Sequence, residues 1–542
     1  MRRLGINTND QEINVTLVNY PYLSSIVKYP IGLLNLKNIL DKSNHNIHTE
    51  IVDYNKLINE GNITVDSFKD KDYRLLSQYI LSSKPHIIGF STIAISLDIV
   101  IELSAFIKEQ NPNIIIFFGG PSATASYEIL LKDFSFIDFI LLGESESCIE
   151  NVIVATFNKM SFNSISANIA YRHSGKVCAK YDSPPVNLDE LPYLDLTKYI
   201  DLEEIDIEVG RGCPFNCYFC ATSIFWDKKY VVKSTTRLIS EIKYYINNYG
   251  IRKYNFIHDL FTFNRNFVID FCKKIVDEQI DINWACSARV DCLDEEMLSY
   301  MSLAGCNHIF IGIETGSKRM QHIIRKEINL DSIYDTFDLL SKKFIELTVS
   351  FVYGFPEETK EDLIDTLNLI KVLIDDYGYK VVLTKCTLYA NTTAFLKNKD
   401  IINTFLPTGD YLALHEVTPS KMIIDNKELF ACFFSPDNQI EYPHLDVFIN
   451  FYIRLIKQSL PNFYRLLSKN YSYLEIYSNF YKFFNQINPY TRKQYEKEIE
   501  KDEYFKLFYR ILTEFIYENG VIEKMIKDAF LFDISFLSKF IS

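Results

Sequence analysis

Short apolar runs alternate with amphipathic segments along the first third of the chain. The apolar runs are each about as long as one strand and lie at residues 13–18, 47–52, 86–91, 114–118 and 139–142. The segments between them, such as residues 97–110, carry apolar positions at helical spacing. This alternation is typical of a doubly wound parallel sheet, which binds ligands beyond the carboxyl ends of its strands. Ser91-Thr92 and Gly119-Gly120 follow two of the runs, so they lie at the predicted ligand edge.

A second series of strand–helix units fills residues 203–400. Its candidate strands lie at residues 205–209, 254–257, 282–286, 308–313, 348–353 and 380–388. Helical patterns, such as those of residues 237–249 and 360–375, separate them. Units in this order predict a second α/β domain whose functional residues lie at the carboxyl ends of its strands.

The last part of the chain has a different composition. Residues 401–542 are rich in Phe, Tyr, Ile, Leu and Lys, and residues 445–458 and 504–518 carry helical periodicity. We expect a mainly helical domain that covers the preceding one and excludes water from it. A polar connector with Ser183-Pro-Pro185 separates the first two domains. The predicted division is residues 1–160, a connector at 161–202, a domain at 203–400 and a helical domain at 401–542.

Composition narrows the class of protein. The chain has 542 residues, too many for one ordinary core, so two to four domains are expected. Its net charge of −13 argues against a nucleic-acid-binding surface as the main function. The apolar runs fall short of the roughly 20 residues that a membrane helix needs. Eleven cysteines without an apolar N-terminal stretch fit a reducing compartment, so we expect a cytoplasmic protein that contacts neither membrane nor nucleic acid.

Three closely spaced cysteines are the strongest chemical motif. Cys213, Cys217 and Cys220 follow the spacing CxxxCxxC within one short loop. Three thiolates in such a loop can bind three irons of a [4Fe–4S] cluster and leave the fourth iron open for a small-molecule ligand. The alternatives are a zinc site or unrelated buried thiols, although zinc sites usually combine two separated pairs of ligands.

The cysteine motif resembles that of the radical S-adenosylmethionine (SAM) superfamily. The resemblance implies a partial (β/α)6 barrel, a cluster whose open iron binds SAM, and reductive cleavage of SAM to a 5′-deoxyadenosyl radical. Phe219 matches the aromatic residue expected near the adenine. Asp259 closes the second strand, where relatives bind the methionine ammonium through an acidic group.

Later strand ends supply the remaining contacts that the resemblance implies. Ser287 and Arg289 close the third strand, where a guanidinium would pair with the methionine carboxylate. Glu314 closes the fourth strand and would accept hydrogen bonds from the ribose. Gly354 follows the fifth strand, where relatives hold the adenine. Each residue alone also fits a surface ion pair or a helix cap.

The first domain resembles cobalamin-binding domains. Their fingerprint is DxHxxG, then SxL, then GG, and Ser91-Thr-Ile93 and Gly119-Gly120 match the last two parts. Counting back from Ser91 reaches Asp53, with Asn55 in place of the histidine, so cobalamin would bind without a histidine ligand to cobalt. The alternative is a flavodoxin-like domain that binds no corrin.

Several outcomes of the radical chemistry stay open. With cobalamin bound, the resemblance implies methylation of an unactivated carbon in a peptide or small molecule, with a flavodoxin or ferredoxin as reductant. Similarity to enzymes that mature ribosomally made peptides concerns residues 220–226, 258–262 and 284–289. Without cobalamin, the thiol of Cys386 at the predicted sixth strand would return a hydrogen atom and give a peptide epimerase, or the thiol is only a small core residue. A non-catalytic cluster- or corrin-based sensor is the third hypothesis.

Overall fold

The first sheet of the protein is mainly parallel. We use a computed structural model, which describes residues 12–21, 29–199, 202–405, 419–436, 442 and 445–478. The strands of this sheet are β1 (Ile13–Asn19), β2 (Ile47–Asp53), β3 (Ile87–Ser91), β4 (Ile115–Gly119), β5 (Phe139–Leu141), β6 (Asn168–His173) and β7 (Lys176–Tyr181). Their order is β2-β1-β3-β4-β5-β6-β7, and the first five run parallel. The predicted doubly wound sheet is therefore confirmed.

The sheet extends into the segment whose pattern predicts a connector. Strand β6 pairs antiparallel with β5, and β7 pairs with β6 through a turn at Ser174 and Gly175, both with positive φ. The sequence pattern misses these two strands because no residue of β7 is buried, and its lysines leave only three apolar residues in a row. The first domain therefore continues past residue 160 to Tyr181.

Helices cover both faces of the first sheet. They are Ile31–Asp41, Tyr54–Asn59, Asp66–Lys69, Tyr73–Leu81, Leu97–Gln110, Pro121–Asp133 and Ile149–Phe157. Buried side chains on each helix form two clusters, one on each side of the sheet. This layering is what a buried parallel sheet requires, because neither of its faces can meet water.

The second sheet is an open half-barrel. Its parallel strands are β8 (Glu204–Glu208), β11 (Lys253–Ile257), β12 (Asn283–Ala288), β13 (Cys306–Glu314), β14 (Glu346–Tyr353) and β15 (Lys380–Lys385), in consecutive order. Two short strands, β9 (Gly210–Arg211) and β10 (Val231–Val232), pair beside the first. The six predicted strands are all present. The last one ends at Lys385, so Cys386 lies beyond it rather than within it.

Helices alternate with the strands of the half-barrel. They are Thr222–Phe225, Thr235–Tyr249, Arg265–Asp277, Glu295–Leu303, Lys318–Ile323, Ile333–Ser341 and Lys360–Asp375. Local signals fix their ends. Gly250 ends one helix in the left-handed conformation, and the Thr359–Asp362 capping box begins another.

The C-terminal residues contribute two packing units. Residues 419–436 contain the helix Lys421–Asp425 and strand β17 (Phe434–Pro436), which pairs with β16 (Ile402–Phe405) after the helix Thr393–Asn398. Helical residues 445–470 (Leu445–Val447, Phe448–Ile453, Arg454–Ser459 and Pro461–Asn470) join the barrel core. The helix predicted at residues 504–518 lies outside the described residues. Among the described residues, no helix is both long and apolar enough to cross a membrane.

Candidate functional site

The cysteine loop starts directly after β9 and is shaped by a glycine. Gly212 has φ +83°, and a Cβ there would lie 1.9 Å from the Lys229 carbonyl oxygen. The Asp259 carboxylate accepts hydrogen bonds from the Gly212 N–H (2.9 Å) and the Thr222 hydroxyl (3.2 Å). Asp259 therefore braces both ends of the loop, in the position where an acidic group is predicted to bind the SAM ammonium.

The three loop cysteines are partly buried and form no disulfide. Burial raises the pKa of Cys217 to about 11, whereas the charges of Lys326 and Arg289 act to lower it. Among the described residues, no three His, Cys, Asp or Glu side chains lie close enough to hold a single metal ion. Thiols spread over one loop suit a cluster, in which each iron takes one thiolate. The donor set therefore fits the cluster.

Arg289 is buried at the carboxyl end of β12, close to the half-buried Ser287. Its guanidinium bonds both oxygens of Asp291 (2.9 and 2.7 Å) and the Lys326 carbonyl (2.7 Å). It also stacks 4.0 Å from the Phe215 ring of the cysteine loop. The buried Nη1 atom has no hydrogen-bond partner within the part of the chain that the structure describes. An unsatisfied buried donor beside the cluster loop suits an incoming anion such as the predicted SAM carboxylate.

Glu314 ends β13 in an unusual conformation. Its φ is +71°, and its carboxylate pairs with the buried ammonium of Lys326 at 3.0 Å. The sequence alone gives no sign of Lys326, because it lies twelve positions further on, outside any strand end. Only the folded turn after the helix Lys318–Ile323 brings the lysine to the site.

The loop after β14 approaches the cysteine loop from the other side. The Phe219 ring lies 5.6 Å from that of Phe355. Gly354 has φ +77° and donates its N–H to the Glu358 carboxylate at 2.5 Å. Burial raises the pKa of Glu358 to about 7. The predicted adenine-binding segment therefore lies beside the predicted adenine-side aromatic residue.

The ligand edge of the first domain consists of backbone and small side chains. Strand register places Asn19, Asp53, Ser91 and Gly119 in one row across it. The Thr92 hydroxyl donates to the Gly119 carbonyl (2.8 Å) and accepts from the Ala123 N–H (2.9 Å). A Cβ on Gly120, which has φ +92°, would lie 2.8 Å from the Thr92 carbonyl oxygen. The two motif segments predicted from sequence therefore meet.

The strand order separates Asn55 from Ser91. Asp53 ends β2, which is the edge strand, and Asn55 follows it, whereas β1 is the neighbour of β3. The residue paired with Ser91 is Asn19, at the end of β1. The sequence of residues 19–28, NYPYLSSIVK, contains no histidine either. Asp53 instead bonds the Asn19 amide and the Tyr199 hydroxyl, both at 3.0 Å.

Cys386, the predicted hydrogen donor, and His258, the residue after β11, are both buried. Cys386 is 5% exposed in an apolar cluster with Phe355 and Leu388, and burial raises the pKa of its thiol. Burial lowers the pKa of His258 to about 4, so its ring is neutral at pH 7, and Nδ1 accepts the Leu260 N–H at 3.1 Å. A catalytic role for Cys386 stays a prediction.

Arg211, directly before the cysteine loop, joins the two domains. Its buried guanidinium contacts Glu144 (2.7 Å) and Glu146 (2.5 Å) of the first domain and Glu208 (2.8 Å) of the second. The helices Thr222–Phe225 and Pro121–Asp133 also pack together. The cysteine loop and the Gly119-Gly120 loop therefore lie on the same interface, which sequence spacing does not reveal.

Comparison with known proteins defines both domains. Residues 27–153 match the B12 binding domain, and residues 207–370 match the Radical SAM superfamily. The chain therefore carries a radical SAM domain and a B12-binding domain. It is an enzyme whose cofactors are a [4Fe–4S] cluster, SAM and cobalamin.

Relatives and solved structures agree with this assignment. The chain is 29% identical over 325 residues to an uncharacterized methyltransferase of Pyrococcus horikoshii, covering 58% of this chain and 70% of that protein. It is 28% identical to the anaerobic magnesium-protoporphyrin IX monomethyl ester cyclase of Rubrivivax gelatinosus, over 54% of this chain and only 55% of the cyclase.

The fold resembles two cobalamin-dependent radical SAM enzymes. Similarity to OxsB covers 98% of this chain and 82% of OxsB, with TM-score 0.63 and 16% identity. Similarity to the methyltransferase TsrM from Kitasatospora setae covers 72% of this chain and 78% of TsrM, with TM-score 0.58 and 14% identity. These matches confirm the predicted fold class.

Proposed function

We propose that the protein is a cobalamin-dependent radical SAM methyltransferase that methylates an unactivated carbon. The observation that carries the proposal is the common interface of the cysteine loop and the Gly119-Gly120 loop, held together by Arg211. An enzyme that delivers a methyl group from cobalamin to a radical formed by SAM needs both cofactors at one substrate. The methyltransferase relative and TsrM support the same reaction.

The cofactors supply the radical and the methyl group when bound, and the chain's own residues position them. Cys213, Cys217 and Cys220 would hold the cluster. The unsatisfied Nη1 of Arg289 and the carboxylate of Asp259 would take the carboxylate and ammonium of SAM. A charged donor and a charged acceptor on opposite sides of one loop suit a zwitterionic amino acid.

The substrate is proposed as a peptide or small natural product, and the reductant as a flavodoxin or ferredoxin. Each turnover would consume two molecules of SAM and two electrons. One SAM would leave as S-adenosylhomocysteine after giving up its methyl group. The other would leave as methionine and 5′-deoxyadenosine, the latter carrying the abstracted hydrogen.

The test uses the full chain, reconstituted anaerobically with iron, sulfide and hydroxocobalamin. The reduced protein with SAM, first without and then with candidate peptides, is assayed for 5′-deoxyadenosine, S-adenosylhomocysteine and bound corrin. We expect near-stoichiometric base-off corrin and, with an accepted substrate, equal amounts of both SAM products. Methyl-deuterated SAM should label the product with an intact CD3 group.

Three results would contradict methyl transfer. A protein that retains no corrin, yet makes 5′-deoxyadenosine, would leave the radical chemistry without a methyl carrier. A product that gains deuterium from solvent at the reacting carbon, with no added methyl group, would indicate epimerisation. Absence of 5′-deoxyadenosine under all reducing conditions would favour the sensor.

A further inference from the structure

A second charged group, not used above for binding SAM, lies beside the cysteine loop. The ammonium of Lys326 is buried and pairs with Glu314 at 3.0 Å. Its backbone carbonyl accepts from Arg289 at 2.7 Å, and Arg289 in turn stacks on Phe215 of the cysteine loop. The Tyr218 N–H of the loop donates to the Ile324 carbonyl at 2.9 Å. The segment carrying Lys326 is therefore bonded directly to the loop that holds the cluster.

The backbone around Lys326 and Glu314 is strained. Arg325 and Glu327, on either side of Lys326, have φ +54° and +56°, and Glu314 has φ +71°. Non-glycine residues rarely adopt this region, at a cost of about 1–3 kcal/mol each, and such strain concentrates at functional sites. Two of these strained residues thus flank Lys326, and the third is its partner Glu314.

A buried glutamine holds the strained turn against β13. The Gln321 amide donates to the carbonyls of Ile313 (2.8 Å) and Thr315 (2.9 Å), which flank Glu314. Its backbone carbonyl accepts from both Lys326 and Glu327. Gly312 leaves the space for the pair, because a Cβ there would lie 2.1 Å from the Glu314 carboxylate and 3.1 Å from the Lys326 ammonium. The pair is therefore fixed from several sides.

The electrostatic surroundings of Lys326 favour its charged form. Burial opposes that form, but Glu314 and the charge of Cys217 together outweigh it and raise the lysine pKa. The position of the pair beside the cysteine loop follows from the hydrogen bonds of its segment, from the Tyr218 N–H to the Ile324 carbonyl and from Arg289 to the Lys326 carbonyl.

We propose that Lys326 and Glu314 set the reduction potential of the cluster. Cluster potentials respond to nearby charge, hydrogen bonding and solvent exposure. Reduction adds one negative charge to the cluster, so a buried cation beside the cysteine loop favours the reduced state, and the carboxylate paired with that cation opposes the effect. This role depends on the cluster assignment but not on methyl transfer.

Neutral variants of the two residues test the proposal in opposite directions. Lys326→Met should lower the reduction potential of the cluster, and Glu314→Gln should raise it. Each shift should be about 59 mV for one electron, which changes the ratio of reduced to oxidised cluster about tenfold at a fixed potential. The measurement is an EPR-monitored redox titration of the reconstituted full chain without SAM. Lys326→Arg keeps the charge and should restore the potential.

Matched controls separate tuning from structural damage. Lys318→Met removes an exposed lysine paired with Asp331 in the same helix region and should leave the potential unchanged. Iron and sulfide content reports cluster loading. Shifts of the same sign in both variants, or no shift in fully loaded proteins, would overturn the proposal. So would loss of the cluster in all three variants, which would make the pair structural. If the protein proved not to transfer methyl groups, the shifts in potential expected here would stay the same.

Discussion

The ligand edges of the two α/β domains are built in different ways. At the edge of the first domain, the contacts are made by backbone groups, a hydroxyl and glycines: Thr92 bonds Gly119, and Gly120 fits against Thr92. At the edge of the half-barrel, the contacts are made by charged side chains, such as Arg289 with Asp291 and Lys326 with Glu314. The first edge therefore requires that no side chain fills the space beside the backbone, whereas the second edge requires particular charged side chains.

The difference suits the ligands that the two domains bind. A corrin is a large macrocycle with amide side chains around its rim, so it needs space close to the backbone, which glycine provides, and backbone groups that can form hydrogen bonds. A cluster with SAM carries several charges in a small volume, so it needs buried counter-charges with fixed geometry. Arg211 connects the two edges with one guanidinium and three carboxylates. Substitutions at the two ligand edges should therefore abolish different properties of the protein.

The largest effect should come from removing a cluster ligand. Cys217→Ala leaves two thiolates for three irons, so we expect loss of the EPR signal and no detectable 5′-deoxyadenosine. The matched control is Cys178→Ala, which removes another partly exposed cysteine on β7, outside the loop. Full cluster content and activity in Cys217→Ala would refute the assignment of the loop.

The next largest effect concerns the connection between the edges. Arg211→Met leaves three carboxylates without their cation, which costs about 3–5 kcal/mol for a buried site. Trp226 lies 5.6 Å from this guanidinium and is one of two tryptophans, so its fluorescence reports the interface during urea unfolding. Arg265→Met removes an exposed arginine that also contacts two carboxylates and should shift the urea midpoint little. Equal shifts in the two variants would show that burial of Arg211 is unimportant.

Two glycine variants test whether the ligand edge of the first domain needs free space beside its backbone. Gly120→Ala places a Cβ 2.8 Å from the Thr92 carbonyl at φ +92°, whereas Gly61→Ala has φ +72° with open space around it. Both variants should lose about 1 kcal/mol of stability from the left-handed conformation, but only Gly120→Ala should lose cobalamin. Cobalamin retention after gel filtration and thermal unfolding separate the two effects. Normal corrin binding by Gly120→Ala would remove this loop from the corrin site.

The same difference decides what the sequence alone could predict. Ser91, Gly119 and the three loop cysteines belong to short motifs at fixed spacing, and strands β3, β4 and β8, which precede these motifs, were predictable from apolar runs. Lys326, Glu144 and Glu146 reach the site through a left-handed turn and a domain interface, and neither leaves a local pattern. The hairpin of β6 and β7 was missed because no residue of its outer strand is buried.

Glu358 offers a smaller, pH-dependent test at the charged edge. Burial raises its pKa from 4.5 to about 7, so the folded state keeps a proton that the unfolded state releases. Stability should therefore fall as the pH rises from about 4.5 to 7 and stay level above it, by at most about 3 kcal/mol. Glu358→Gln should flatten this decline in thermal unfolding midpoints across that window. An identical pH dependence in the variant would show that another group is responsible.

The smallest effect is expected at Cys386, where the alternative reaction would leave its mark. The thiol is buried in the same apolar cluster as Cys432, so Cys386→Ala and Cys432→Ala should each cost about 1 kcal/mol through a small cavity. Both variants should form 5′-deoxyadenosine and methylated product as the unchanged protein does, because both thiols are buried among apolar side chains. If Cys386→Ala alone accumulated 5′-deoxyadenosine without an inverted product, the core thiol would be the hydrogen donor of an epimerase. In that case a buried side chain, rather than a group at either ligand edge, would carry out the final step of the reaction.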